Sequence, residues 1–159
     1  MEQKTKVHAE EGKQELIITR EFGLPLELLF KAHAEPEIVG QWMSHEHGTT
    51  KVKQENKKYG SWQSETTDPK GNKIFGANGV ILEFVPNEKI TRTFELENAP
   101  FPVQLEFIEF EKLTDDTSKL IIQMIFKSVA IRDQLLKMPF AQGINMAHNR
   151  IQELFSDRK

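Results

Sequence analysis

His45 and His47 flank Glu46 in the segment Met43-Ser44-His45-Glu46-His47. Two imidazoles spaced in this way chelate a metal when a third ligand such as His148 joins them. Loop histidines are ordinarily solvated side chains, however, and the expectation is that no metal binds here. His148 lies one turn beyond Ile144. It stands either at the mouth of a cavity or as a boundary histidine that satisfies its ring on a carbonyl. Glu83 and Arg92 interrupt apolar strand segments. Turned inward together they would orient a polar ligand head; as an outward cross-strand pair they would contribute little, and an outward or rim placement is expected. A reaction in an internal cavity would need a titratable group such as His148, His33 or Glu83 facing it. The chain has no GxSxG, phosphate loop, HExxH or dinucleotide fingerprint, so no catalytic residue is assigned and enzymatic activity is left open rather than indicated.

The elements that must position these residues follow from periodicity and punctuation. Residues 1–14 are polar and contain Gly12, which reads as a loose tail. The first strand runs from Leu16 to Phe22, where Ile17, Ile18 and Thr19 favour an extended chain. Pro25 suits the first turn of a helix carrying Leu26, Leu29, Phe30 and His33, and Pro36 opens a second with Ile38, Val39 and Trp42 on one face. Beyond Gly48 the chain is cut by turn-forming clusters at 57–60, 68–72, 86–89, 98–102 and 114–117. Five turns separate six strands; with the first, seven strands form a meander of antiparallel neighbours, because short connections exclude parallel pairing. Segment 130–137 reads as a separate short helix or a kinked lead-in. The long amphipathic segment Pro139–Phe155 closes the chain, with Phe140, Ile144, Ala147, Ile151 and Leu154 on one stripe and Gly143 beside it. Gln142, Asn149, Gln152 and Glu153 lie away from that stripe.

Composition limits what such a domain can do. The 159 residues fit one domain, with residues 15–159 as its body. The chain has no cysteine, so disulfides and thiolate zinc sites are excluded. With 21 Lys and Arg against 24 Asp and Glu, the net charge of −3 gives no grip on nucleic acid. No apolar h-region opens the chain and no apolar run is long enough to span a bilayer, so a soluble cytoplasmic protein is expected.

The run REFGLPLELLFKAHAEPEIVGQW, from Arg20 to Trp42, resembles the opening signature of the START-like (SRPBCC) superfamily, in particular the homologues of the activator of heat-shock protein 90 ATPase. YGSWQSETTDPKGN is similar to that family's Gly-Gly-x-Trp strand and Asp-x-x-Gly hairpin, with Tyr59 in place of the first glycine. GVILEFVPNEKITRTF is similar to its Gly-x-x-x-Glu-x-x-Pro-x-Glu segment and following strand. Two departures fall where a ligand would sit: Ile144 replaces a tryptophan often found in the last helix, and Met43 to His47 replace a Trp-Gly-Pro type loop.

The resemblance implies an α+β helix-grip fold: a seven-stranded curved antiparallel sheet wrapped around the long C-terminal helix, two short helices between the first two strands, and an internal cavity between sheet and helix. Strand register and the helix stripe place Trp42, Trp62, Phe75, Val80, Leu82, Phe94, Phe107, Phe140, Gly143 and Ala147 around that cavity, with His148 at its mouth. The expected activity is binding of an apolar or amphipathic small molecule, without a cofactor, by a monomer or homodimer. The alternatives are a cyclase-, aromatase- or hydrolase-like enzyme using the same cavity, and a chaperone-associated partner-binding protein. The last is weakened because the eukaryotic activators use an additional domain that these residues do not include. Fold alone does not choose among them.

Overall fold

The computed structural model describes residues 3–156. Eight strands form one open, curved antiparallel sheet in the order β1-β2-β8-β7-β6-β5-β4-β3. They are β1 (Lys6–His8), β2 (Glu15–Phe22), β3 (Thr49–Gln54), β4 (Ser61–Thr67), β5 (Lys73–Val85), β6 (Lys89–Leu96), β7 (Gln104–Lys112) and β8 (Ser118–Ile125). Helices α1 (Leu26–Ala34) and α2 (Pro36–Met43) lie between β2 and β3, and α3 (Val129–Leu136) and α4 (Phe140–Leu154) follow β8. This is the helix-grip architecture, with one strand more than expected. The additional strand is β1, in the stretch read as a loose tail; it pairs with β2 through Lys6↔Thr19 and His8↔Ile17. Residues beyond β1 in that stretch are tethered as well. Arg132 of α3 donates to the carbonyls of Glu10 and Glu15 at 2.6 and 3.0 Å, and Gln14 donates to those of Phe126 and Lys127.

Proline sets the helix boundaries. Glu35 is extended (φ −88°, ψ 117°) because the ring of Pro36 crowds a helical conformation before it, so α1 stops and α2 starts afresh. Segment 129–136 is a separate helix, capped by Ser128, whose Oγ accepts from the amide of Ile131 at 3.2 Å. Four of the turns contain a left-handed residue, at Tyr59, Gly71, Asn87 and Asn98. Tyr59, at φ 67°, occupies a conformation that glycine adopts freely.

The register decides which side chains face the helices. One row crosses the concave face as Leu16, Met124, Glu106, Arg92 and Ile81; the next runs Ile18, Ile122, Ile108 and Ile90. The second row is apolar throughout. The first carries a carboxylate opposite a guanidinium. Phe107 is one residue out of this register: it pairs with Thr91 and Gln123 on the convex face. In β5 the pairing slips between Ile81 and Glu83, so Leu82 is an extra residue in a bulge and the alternation reverses across it. Ile81 and Phe84 therefore pack inward, whereas Val80 is 40% exposed.

Helix α4 grips the sheet by its C-terminal half. Ile151 and Phe155 are fully buried against the core that includes Phe22 and Leu24, each contributing about 1.5–3 kcal/mol by burial. The inward line on α4 runs from half-buried Phe140 and Ile144 to buried His148 and Ile151 and on to Phe155 just past the helix, displaced from the expected stripe so that Ala147 lies at its edge and Gly143 faces open space with nothing near its missing Cβ. Two residues read as lying away from the stripe make cross-element bonds instead: Asn149 accepts from Arg20 at 2.7 Å and Gln152 accepts from the amide of Gly23 at 2.8 Å.

Gly79 fixes the far end of the sheet. A Cβ there would stand 2.0 Å from the carbonyl oxygen of Thr93 and 2.6 Å from the indole nitrogen of Trp62, which itself donates to that oxygen at 2.9 Å. Gly79→Ala is expected to lower the unfolding free energy by about 1–3 kcal/mol in chemical denaturation. An unchanged denaturation midpoint would show that β5 and β6 do not approach as closely as described.

Candidate functional site

Because α4 is seated by its C-terminal half, a hollow remains under its N-terminal half. The floor is β6, β7 and β8, through Arg92, Phe94, Leu96, Gln104, Glu106, Ile108, Ile122 and Met124; α3 and α4 supply Leu135, Phe140, Ile144 and His148; and His33, Trp42 and Phe75 close the sides. Its volume is about 390 Å³, within the range of small-molecule pockets. Phe75 and Met138, on its lining, are 41% and 51% exposed and mark the rim. A second hollow of about 90 Å³ lies toward β3 and β4, lined among others by Val52, Gln54, Trp62, Ser64 and Ile81. The two share His33, Trp42, Arg92, Phe94 and Ile108 as a common wall.

Of the residues expected around a cavity, Trp42, Phe75, Phe94, Phe140 and His148 line the larger hollow and Trp62 lines the smaller. Val80, Leu82, Phe107, Gly143 and Ala147 line neither. The first two are displaced by the β5 bulge, Phe107 by register, and the helix pair by the rotation of α4 described above. Glu83 faces outward, bonded to Lys89 and Thr91, as expected for that residue. Arg92 does not: it faces inward and pairs with Glu106. His45 and His47 lie in an exposed loop where the amide of His47 donates to His45 Nδ1, and His148 is buried on α4. Among the described residues, no three His, Asp or Glu side chains are grouped as a metal site.

The polar groups of the wall are held in place. Glu106 is 2% exposed; its Oε1 accepts from Arg92 Nε at 2.9 Å and its Oε2 from Gln104 Nε2 at 3.0 Å. The Arg92 guanidinium also lies 4.1 Å from the centre of the Trp62 ring, a cation–π contact that fixes its plane. The indole of Trp42 donates to the carbonyl of Ala32 at 2.8 Å. His33 Nδ1 is 2.9 Å from the Leu29 carbonyl oxygen, so Nδ1 carries the proton and Nε2 is an acceptor, buried and without a hydrogen-bond partner. His148 Nδ1 is 2.7 Å from Thr5 Oγ1, which also accepts from Arg20 Nη1 at 3.4 Å. Arg20 bonds Asn145 and Asn149 as well, and its own pKa is lowered by burial.

Burial dominates the titration of both imidazoles. It pushes His33 down to about 4, partly offset by the hydrogen bond to Leu29 and reinforced by the charge of Arg92. His148 is pushed down to about 3 by burial, then by His33 and Arg20. Both rings are neutral at pH 7, so they present hydrogen-bonding groups without charge. Gln104, Glu106 and the inward Arg92 were missed by sequence reading. The available signal was that Gln104 and Glu106 share a strand register with Ile108 and Phe110.

A curved sheet gripping a C-terminal helix, with an apolar hollow between them, defines the class as helix-grip proteins. The sequence matches the model of the Activator of Hsp90 ATPase homolog 1-like protein family over residues 23–156, and the chain belongs to that family. Solved structures of the same fold include a protein from Rhodobacter sphaeroides (TM-score 0.86, 15% identity, covering 97% of this chain and 99% of that one). Protein Ms6760 from Mycobacterium smegmatis is similar at TM-score 0.82 and 20% identity, covering 95% and 96% of the two chains. CalU16 from Micromonospora echinospora is similar at 0.63 and 17%, covering 96% of this chain and 74% of its own. No curated protein matches the sequence. Among the described residues, no helix is long and apolar enough to cross a membrane.

The neutral histidines make stability depend on pH in a defined direction. Their folded pKa values of about 4 and about 3 lie below the ordinary 6.5, so as pH falls the unfolded chain takes up protons first. The stability these two groups confer is full above that ordinary value and lost on descending toward the folded values. Between pH 7 and 5 the unfolding free energy obtained from urea denaturation is expected to fall, with a slope approaching about 1.4 kcal/mol per pH unit for each proton. His33→Gln/His148→Gln should flatten this dependence; an equally steep fall in the double variant would contradict the assignment.

Proposed function

We propose that this protein binds an apolar or amphipathic small molecule in the hollow between β6–β8 and α4. The observation that carries the reading is the 390 Å³ space itself, with apolar walls from both layers and a few oriented polar groups on its floor. Such a combination is the usual form of a small-molecule site. Ile144 supports it further: the family signature resembled by this sequence often has a tryptophan there, and the smaller side chain leaves room where α4 crosses the floor. The ligand's body would lie on Phe94, Ile108, Ile122 and Met124, entering past Phe75 and Met138.

Catalysis is a second reading, favoured by one observation. Two neutral imidazoles, His33 and His148, line the same hollow, and a neutral imidazole is the form that accepts a proton. Binding is preferred because His33 Nδ1 is spent on the Leu29 carbonyl, and the one hydroxyl bonded to His148, Thr5 Oγ1, is buried outside the lining of the hollow.

A neutral fluorescent probe, N-phenyl-1-naphthylamine, tests the binding reading. Wild-type protein is expected to take it up saturably at one site. Ile144→Trp should weaken uptake about tenfold or more while leaving the melting temperature unchanged or raised, since the indole fills open space rather than displacing core. Undiminished uptake by this variant, or no uptake by the wild type, would overturn the reading.

A further inference from the structure

The smaller hollow differs from the larger in what is left unpaired around it. Ser64 is 1% exposed, and its Oγ has no hydrogen-bond partner although it is buried on this wall. A buried hydroxyl without a partner costs free energy that a bound group can recover. Arg92 belongs to the wall shared by both hollows. Its Nε is committed to Glu106, and among the described residues its two terminal nitrogens have no hydrogen-bond partner. The guanidinium is held by Glu106 and Trp62 with that fork free.

The charged side chains lining the two hollows are one guanidinium and one carboxylate, and they are unequally committed. Glu106 is the one carboxylate on the two walls, and its two oxygens are already occupied by Arg92 and Gln104. Arg92 balances it. Arg20, 3% exposed and joined to His148 through Thr5, is bonded only to Thr5, Asn145 and Asn149 among the described residues, with no carboxylate partner. Arg20 lines neither hollow, so the charge facing this space is the Arg92–Glu106 pair, with donors left over on Arg92 and both carboxylate oxygens already partnered. Spare charge-assisted donors with no spare acceptor favour an anion over a neutral group of the same shape.

We propose that the ligand is an amphipathic carboxylic acid, its carboxylate received by the Arg92 fork and the Ser64 hydroxyl at the smaller hollow and its apolar body filling the larger. Arg92 supplies two parallel N–H donors in the geometry that matches a carboxylate, and Ser64 supplies a third donor from β4. The Glu106 contact is a positioning one: it fixes the plane of the guanidinium and leaves the fork free. This inference rests on the binding reading above and specifies its chemistry.

The experiment compares 2-naphthoate with methyl 2-naphthoate, which share an apolar body and differ in charge, by fluorescence titration at pH 7.5. The acid is expected to bind about 10-fold to 100-fold more tightly than the ester. Arg92→Met alone would strand Glu106, so the informative variant is Arg92→Met/Glu106→Gln, which removes both charges; the acid-to-ester preference should then fall to about one. Ser64→Ala should reduce the preference by a few-fold. If acid and ester bind wild type equally, the anion inference is overturned while the binding reading stands. If neither binds, both fall. A double variant that keeps the wild-type preference for the acid would also overturn the role given to Arg92.

Discussion

A single helix is too narrow to cover this sheet, and the rest of the structure follows from that mismatch. Eight strands at about 4.8 Å spacing span roughly 34 Å, whereas a helix with its side chains is about 10–12 Å across. Helices α1 and α2 cover part of the concave face and α4 another. Where α4 is anchored, at Ile151 and Phe155, the layers meet in a packed core. Toward its N-terminus, Phe140 and Ile144 are only half-buried and the layers part. Packing at one end and space at the other are consequences of one geometry.

Polar groups border that space, and their burial carries a cost. Burying Glu106 against Arg92 does not by itself stabilise a fold; apolar residues of similar volume often do as well or better. The pair is retained in a row otherwise made of Leu16, Met124 and Ile81, with Gln104 completing the carboxylate's partners and Trp62 supporting the guanidinium. The two histidines likewise lose their charge on burial. Strain of this kind collects at functional sites, where the reward lies in what the groups do to a ligand. The N-terminal segment takes part in the same construction, since Thr5 joins Arg20 to His148 and its amide donates to Asn145 of α4.

The architecture was largely legible in the sequence, because its boundaries are set by local chemistry. Pro25, Pro36 and Pro139 mark helix starts, and the turn clusters coincide with the left-handed residues Tyr59, Gly71, Asn87 and Asn98. The site was legible in part. Trp42, Phe94, Phe140 and His148 line the hollow, but a one-residue slip at Leu82 reverses the facing of Val80, and nothing in the run GVILEFV announces the bulge. Phe107 and Glu106 differ by one position, and hydrophobicity alone assigns the phenylalanine inward when the pairing with β6 and β8 puts the glutamate there. Strand β1 is three residues long with Val7 as its one apolar residue, and its existence depends on β2 offering a free edge. Residues that act through long-range pairing are those that local pattern cannot place.

The central claim, that the space beneath the N-terminal half of α4 receives a ligand, is tested most directly by methyl nuclear magnetic resonance during titration with 2-naphthoate. The account predicts saturable shifts of the Ile108, Ile122, Met124 and Ile144 methyl signals at one-to-one stoichiometry, while those of Val80 and Leu82 stay in place. Shifts centred on Val80 and Leu82, or none at any of these methyls, would contradict it.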